Sequence, residues 1–350
     1  MTLPLTSPPD SLCILRLSAV GDISHTLPVV RTIQHVWPHT RLSWIIGKTE
    51  YQLVYDIPDI EFIVFDKKAG WRGYQEVRRH LRGRRFDVLL DMQMSLRASM
   101  LSLFVHSPIK LGFDRQRAKD LQWLFTNHQI AYQARQHVID SFFGFSEALG
   151  IQQKLLRWDI PIPEEARSTL QEHLPAGKPY LVISPCSSMA YRNWDAEAYA
   201  QVARYANEKY GLSIVLSGGH SEIEHEFGRI ITQHCQVPVI NLIGKTTLKQ
   251  LLALLQDARV VIAPDAGPAH LANAVGTPVI GLYATTNPDR ARPYNWPQLV
   301  ANKYPEAILA KCGKSVSEVP WGTRVRDHGT MQRIQVNDVT TILDRMLSDT

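Results

Sequence analysis

The chain has 350 residues, 45% hydrophobic and 20% charged, which is the balance of a folded globular protein and excludes a disordered or low-complexity chain. That length is enough for two domains of ordinary size, each with its own core. The formal net charge of +5 lies wholly in the first half: residues 1–155 carry 19 Lys and Arg against 14 Asp and Glu, and the remainder carries 19 of each. Met1–Asp10 has neither a positive n-region nor an apolar h-region, and no stretch approaches the length of a membrane helix, so the expectation is a soluble, cytosolic chain. Cys13, Cys186, Cys235 and Cys312 show no CxxC spacing and read as reduced thiols rather than disulfides or zinc ligands.

In chain order, Leu12–Leu17 is a buried-type strand, followed by the small turn Ser18-Ala-Val-Gly-Asp22 and a helix from about Ile23 to Trp37. Further strands are predicted at Arg41–Ile46, Phe62–Phe65 and Phe86–Asp91, and helices at Ser95–Val105 and Gln136–Leu149. Residues Gly150–Lys178 contain Pro161, Pro163 and Pro175 and no long apolar run, the composition of a linker with a short strand or turn. Alternation then resumes with strands Tyr180–Ser184, Ser213–Ser217, Pro238–Asn241 and Arg259–Ala263 and helices Ala196–Tyr210, Glu222–His234 and Leu248–Asp257. Ala284–Pro320 is poorly periodic, and Val336–Leu347 reads as a final helix.

Such alternation predicts an α/β chain built on doubly wound parallel sheets. The expected division is a first domain over 1–155, a linker over 156–178, a second domain over 179–335 and a terminal helix over 336–350 that is free to pack back on the first domain.

The densest charge is Arg72, Arg78, Arg79, Arg82, Arg84 and Arg85, on a helical stretch leading into Phe86–Asp91. Two readings stay open: a solvated helix face, or a surface that attracts an anionic partner or membrane.

Ligands of doubly wound sheets bind outside the carboxyl ends of the strands. Four loops of the second half qualify, at residues 184–194, 217–222, 244–247 and 264–270. They offer hydroxyls at Ser187 and Ser188, a cation at Arg192, a carboxylate at Glu222 and a helix N-terminus at Gly267-Pro268, a set that suits a nucleotide diphosphate. Ser and Gly in any one loop simply make turns; four such loops on one side of a sheet weaken that explanation. In the first half, Asp22 is either the N-cap of its helix or a general base, and locally the two stay open. His25 is a first-turn surface residue or a site group, and Asp91, followed by Gln93, is a further candidate.

Several chemistries lack their signatures. The first loop is not GxGxxG, and GxxxxGK[ST], GxSxG, HExxH and a DxD run are all missing, so no cofactor and no metal are expected. Nucleic-acid binding would rest on net charge alone and is not expected.

The stretches Leu15-Arg-Leu-Ser-Ala-Val-Gly-Asp-Ile-Ser-His-Thr-Leu-Pro28, Ala263-Pro-Asp-Ala-Gly-Pro-Ala-His270 and Gly276-Thr-Pro-Val-Ile-Gly-Leu-Tyr283 together resemble glycosyltransferase family 9, the ADP-heptose:lipopolysaccharide heptosyltransferases, most of all the heptosyltransferase I type. The resemblance spans nearly the whole chain and is weakest in the linker and the C-terminal region. It implies a GT-B fold, with two Rossmann-like domains facing across a cleft, an acceptor-binding first half, a donor-binding second half and inverting, metal-independent transfer.

Carried over by residue, Asp22 matches the general base. Ser187 and Ser188 stand where heptosyltransferase I has paired threonines, and Arg192 stands where it has a Lys; both are departures that keep the hydroxyl and the positive charge. Glu222 matches the ribose-binding carboxylate. Asp265, Gly267 and His270 match the donor loop, with Ala266 in place of Thr, and Thr246 lies in the segment expected beside adenine. The implied partners are ADP-heptose and Kdo-lipid A, phosphorylated Kdo included. An anionic inner-membrane surface is the expected site of peripheral attachment on the cytoplasmic side, with Arg72, Arg78, Arg79 and Arg82, along with His25, as acceptor or membrane candidates. The alternatives are another GT-B transferase or epimerase using a different sugar nucleotide, and a binding-only protein that holds one.

Overall fold

The computed structural model describes residues 2–175 and 177–348. The chain forms two compact units, Met1–Pro161 and Ile162–Thr350. The first contains strands β1 (Ser11–Leu15), β2 (Arg41–Gly47), β3 (Ile60–Phe65), β4 (Val88–Asp91), β5 (Ile109–Gly112) and β6 (His128–Gln129), with helices α1 (Val20–Val36), α2 (Lys48–Val54), α3 (Trp71–Leu81), α4 (Leu96–Ser102) and α5 (Val138–Leu149). The sheet is six-stranded, in the order β3-β2-β1-β4-β5-β6, and every pair is parallel. Parallel strands are covered on both faces and so read as continuous apolar runs. Accordingly Leu12–Leu15 and Val88–Leu90 are wholly buried. α3 and α4 cover one face, contributing Val77, Leu81, Ala98 and Leu101 to a core with Cys13, Leu15, Ile63 and Phe65. α1 packs against α5.

The second unit repeats the plan with β7 (Tyr180–Ile183), β8 (Ser213–Leu216), β9 (Val239–Asn241), β10 (Val260–Pro264), β11 (Val279–Tyr283) and β12 (Val300–Asn302). Its helices are α6 (Glu164–Gln171), α7 (Ala196–Tyr210), α8 (Glu222–His234), α9 (Leu248–Gln256), α10 (Gly267–Ala274), α11 (Pro288–Ala291), α12 (Tyr304–Cys312) and α13 (Val336–Ser348). The strand order is β12-β11-β10-β7-β8-β9, again all parallel. Each sheet therefore reverses its direction of winding once, between β1 and β4 in the first unit and between β7 and β10 in the second. Those reversals are where doubly wound sheets leave a crevice for ligand.

Four local expectations are corrected. The stretch read as a linker holds a helix, α6: Pro163 stands at its N-cap, Glu164 and Glu165 occupy the first turn, and Ala166 and Leu170 bury one face against α9. Residues 284–320, read as aperiodic, contain β12 and α12, whose short lengths give periodicity little room to show. The strands β5 and β6 went unpredicted for the same reason, at four and two residues. The terminal helix α13 packs within the second unit, on α7 and beside β11 and β12, because Val339, Ile342 and Leu343 form an apolar stripe that joins that core.

Candidate active site

In the first unit, the β1–α1 connection and the exit of β4 flank the winding reversal. Asp22 is the third residue of α1; Ala19 is the N-cap, so the N-cap reading of Asp22 is corrected. The helix starts at Val20, earlier than predicted, because the Asp22 carboxylate reaches back to supply the missing acceptor: Oδ2 accepts the Ala19 N–H at 3.2 Å. Oδ2 also lies 2.6 Å from Arg16 Nη2, while Oδ1 is 4.0 Å from His25 Nδ1. The Arg16 side chain is 8% exposed and that of Asp22 39%, so the cation is enclosed and the carboxylate remains open to a ligand.

Arg16 is clamped from three sides. Nη1 donates to the Met92 carbonyl just past β4, the Phe142 ring lies 5.2 Å from its guanidinium carbon, and Asp22 takes the remaining edge. The Gln93 side-chain oxygen accepts the Leu17 and Ser18 N–H groups at 2.9 and 3.1 Å, fixing the loop that carries Asp22. Asp91 ends β4 directly beside Leu15 and is buried; loss of water pushes its carboxyl up to about 7. His25 is buried rather than at the surface, edge-on to His137 and Phe142, because it lies on the inward face of α1.

At the same end of the sheet a cavity of about 360 Å³ is lined by Ser18, Gly47, Lys48, Glu50, Lys67 and Arg97, among others. Arg72, Arg78, Arg79 and Arg82 are exposed along and just beyond α3. Arg84 is not part of that solvated row: its Nη1 and Nη2 hold Glu61 at 2.8 and 2.5 Å, and this fork pulls the Glu61 carboxyl down to about 2.

In the second unit, the loop after β7 meets the loop after β10 across the other reversal. Arg192 Nη1 donates to the Asp265 carbonyl at 3.0 Å and lies 3.1 Å from Asp265 Oδ2, while Oδ1 is 3.6 Å from His270 Nε2. Burial alone would raise the Asp265 carboxyl; the bond to His270 and the charge of Arg192 outweigh it and hold the group below the ordinary carboxylate range. Gly267 begins α10 with Ala266 as N-cap and Pro268 inside the first turn; Pro268 carries no N–H and the Ala269 N–H bonds the Ala266 carbonyl at 3.2 Å, so the helix end is presented at Gly267, which has no side chain of its own.

Ser187 is buried and its N–H bonds Asn193 Oδ1 at 2.7 Å; Ser188 is exposed. Glu222 begins α8 and is exposed, whereas its neighbour Glu224 is occupied in capping through Gly219 N–H and Ser221. Thr246 precedes Thr247, the N-cap of α9. The structure thus brings Arg192, Asp265, Gly267 and His270 into one cluster, and sets Ser187, Ser188, Glu222 and Thr246 on neighbouring loops at the same carboxyl edge of the sheet.

Other groups here were not singled out from the sequence. Arg16 braces Asp22, as Gln93, named from the sequence only beside Asp91, braces its loop; a charged residue inside the apolar run Leu12–Leu17 was the available signal for Arg16. Tyr191 lies between two cations, with the guanidinium carbons of Arg192 and Arg326 5.7 and 5.6 Å from its ring. Its Oη is buried without a hydrogen-bond partner among the described residues. Arg326 is exposed and makes no ion pair among the described residues. It comes from an irregular segment docked through Val325 N–H to the Thr285 carbonyl at 2.9 Å, which no local pattern announces.

Comparison with known proteins shows the family and the fold. The model of glycosyltransferase family 9 (heptosyltransferase) matches residues 74–317. The lipopolysaccharide core heptosyltransferase OpsX of Haemophilus influenzae is 42% identical over 334 residues, covering 95% of this chain and 96% of that one. Among solved structures, the glycosyl transferase family 9 protein of Veillonella parvula superposes with a TM-score of 0.80 at 23% identity, covering 97% and 98% of the two chains. The E. coli heptosyltransferase WaaC with ADP superposes at 0.73 and 20%, covering 96% and 99%. The fold is of the GT-B kind, with two Rossmann-like parallel sheets.

Asp91 gives this site a pH signature. Between about pH 4 and 7 the folded chain keeps a proton on Asp91 that the unfolded chain has released, so stability falls as pH rises through that window. Asp91→Asn removes the effect. From pH 5 to pH 8 the variant should gain on the wild type by a few kcal/mol at most, since each tenfold change in proton affinity is worth about 1.4 kcal/mol. Chemical denaturation at the two pH values checks this; an unchanged gap refutes it.

Proposed function

The chain belongs to glycosyltransferase family 9, the heptosyltransferase family, and from that premise we propose that it moves heptose from ADP-heptose to Kdo-lipid A, phosphorylated Kdo included, in building the lipopolysaccharide inner core. Membership of a glycosyltransferase family displaces the epimerase and binding-only alternatives. The observation that carries the reading is the cluster Arg192–Asp265–His270 against the first turn of α10, a cradle for the diphosphate of a nucleotide sugar. The 42% identity to a lipopolysaccharide core heptosyltransferase along nearly the full length of both chains supports the acceptor class.

The proposed chemistry divides between the units. Asp22 takes the proton of an acceptor hydroxyl. The freed oxygen attacks the anomeric carbon from the face opposite the diphosphate, the bond from that carbon to the β-phosphate oxygen breaks, and its electron pair leaves with ADP. Configuration at the anomeric carbon therefore inverts. Arg16 holds the Asp22 carboxylate in place, so it reaches the acceptor without reorganisation.

The departing ADP gains negative charge, and here the ion pairs matter. Arg192 already shares its charge with buried Asp265, so the pair brings little net charge to the diphosphate. Arg326, stacked on Tyr191 and without an ion pair among the described residues, supplies a cation of its own, and the N–H groups of α10 add partial positive charge. Protein cations thus serve the role a metal serves elsewhere, and the proposed mechanism uses none. Glu222 and Thr246 are assigned to ribose and adenine, and Ser187 and Ser188 to phosphate oxygens.

Three measurements test this. Asp22→Asn should lower kcat by about 10²–10⁴-fold with ADP affinity retained; unchanged transfer removes Asp22 from the chemistry. Arg326→Ala should lower kcat by roughly 10–100-fold with little change in acceptor KM, and an unaltered kcat would return the charge balance to Arg192 alone. Mass and NMR analysis of product from ADP-heptose and defined Kdo-lipid A acceptors, in the presence of EDTA, should show one added heptose of inverted anomeric configuration; a retained configuration or a strict metal requirement rejects the mechanism.

A further inference from the structure

α4 buries Ala98 and Leu101 in the sheet core, and its other face should then be polar, as on an ordinary surface helix. Instead Leu96, Met100 and Leu103 stand outward at i, i+4 and i+7 along it and its C-cap, one continuous stripe. Asp120 Oδ2 accepts the Leu96 N–H at 3.3 Å, which brings the turn bearing Leu121 and Leu124 against the start of α4. Trp71 opens α3, the helix packed beside α4 over the same core, and is stacked on Tyr74 with ring centroids 5.8 Å apart. These six side chains, Trp71 and the five on and beside α4, are 37–61% exposed. Single exposed leucines need no explanation, but a gathered patch does.

The charges around the stripe say what covers it. The exposed groups of α3 and α4 and the residue after α3 include Arg72, Arg78, Arg79, Arg82 and Arg97, against Glu76 alone; His80 is turned to Glu61 at 3.3 Å. Lys119 adds a cation at the turn, where Asp120 is occupied with the Leu96 N–H. A twofold contact between two copies would set this arginine row near its own image, an unfavourable pairing. An anionic bilayer matches both parts: arginines to headgroup phosphates, a tryptophan at headgroup level, leucines at the acyl boundary. Among the described residues no helix is long and apolar enough to cross a membrane, so contact would be from one side.

We propose that the α3–α4 layer is a membrane-docking face that lies on an anionic bilayer, with Leu96, Met100 and Leu103 entering its surface. The inference rests on the reading that the acceptor is lipid-linked, and it relocates the anchor. The arginine row alone runs about 16 Å along α3 away from the site end of the sheet, whereas Trp71, Leu96 and Leu121 stand at the helix starts, at that end. Arg97 of α4 also lines the 360 Å³ cavity whose wall includes Ser18, in the loop leading to Asp22. A sugar headgroup rising from the docked bilayer therefore meets the cavity first.

The test uses the full chain with vesicles of phosphatidylcholine containing about one third phosphatidylglycerol. Leu96→Ser/Leu103→Ser, exposed positions whose replacement leaves the core intact, should lower vesicle partitioning by at least about tenfold. It should lower transfer to acceptor embedded in those vesicles in parallel, and leave transfer to an acyl-free acceptor unchanged. Unchanged partitioning overturns the proposal, as does a concentration-dependent dimer of the wild type that the variant abolishes. Failure of the wild type to use either acceptor form would instead sink the functional reading, while the partitioning comparison still decides the docking face.

Discussion

Each unit depends on an arginine anchored across the place where its sheet reverses winding. Arg16 leaves the end of β1 and its guanidinium reaches the Met92 carbonyl beyond β4; Arg192, in the loop after β7, reaches the Asp265 carbonyl beyond β10. At such a reversal the two connections diverge to opposite faces of the sheet, and a crevice opens that no helix fills. A guanidinium can bridge that crevice because it donates in several directions from one rigid plane. In both units the same cation also holds an acid, Asp22 or Asp265. Removing Asp22 would leave the enclosed Arg16 cation uncompensated, and removing either partner of the Arg192–Asp265 pair would leave a largely enclosed charge unpaired.

Close backbone approach completes the first crevice. A Cβ on Gly47 would lie 2.4 Å from the Leu17 carbonyl and 2.5 Å from the Glu50 carboxylate, and backbone cannot yield as a flexible side chain would. Glycine there lets the exit of β2 lie against the β1 loop, sealed by the Gly47 N–H bond to Leu17 at 3.0 Å. The Glu50 carboxyl that this contact encloses is raised by burial, against the lowering pull of Lys67 and Arg16.

The sequence revealed most of the fold because parallel strands write themselves as apolar runs: β1, β4, β7 and β10 were found where they lie, and these four frame both reversals. What escaped was short or irregular. β6 has two residues, β12 three, and α6 hides its two buried positions among charges. The cluster of the second unit was legible through Asp265, Gly267 and His270, which sit close in sequence. Its closure by Arg192 joins residues 73 positions apart, and Arg326 arrives on a segment with no periodicity at all. Asp22 was visible but its geometry was not, because reaching back to Ala19 depends on where the helix begins, and boundaries are the least legible part of a sequence.

The two arginine–acid pairs differ in one respect that separates their work. Asp22 keeps 39% of its side chain exposed, whereas that of Asp265 is 10% exposed and flanked by His270. In the proposed mechanism Asp22 accepts a proton and has to meet the hydroxyl that carries it, which the open acid and enclosed cation of the first pair allow. A carboxylate that only orients neighbours gains from enclosure, because low dielectric strengthens its grip on Arg192 and His270. The cost falls on the cation: Arg192 is neutralised by its own support. In the proposed mechanism the positive charge for the departing diphosphate then comes from outside the pair, from the helix end at Gly267 and from Arg326, and of these only Gly267 belongs to the motif stretch.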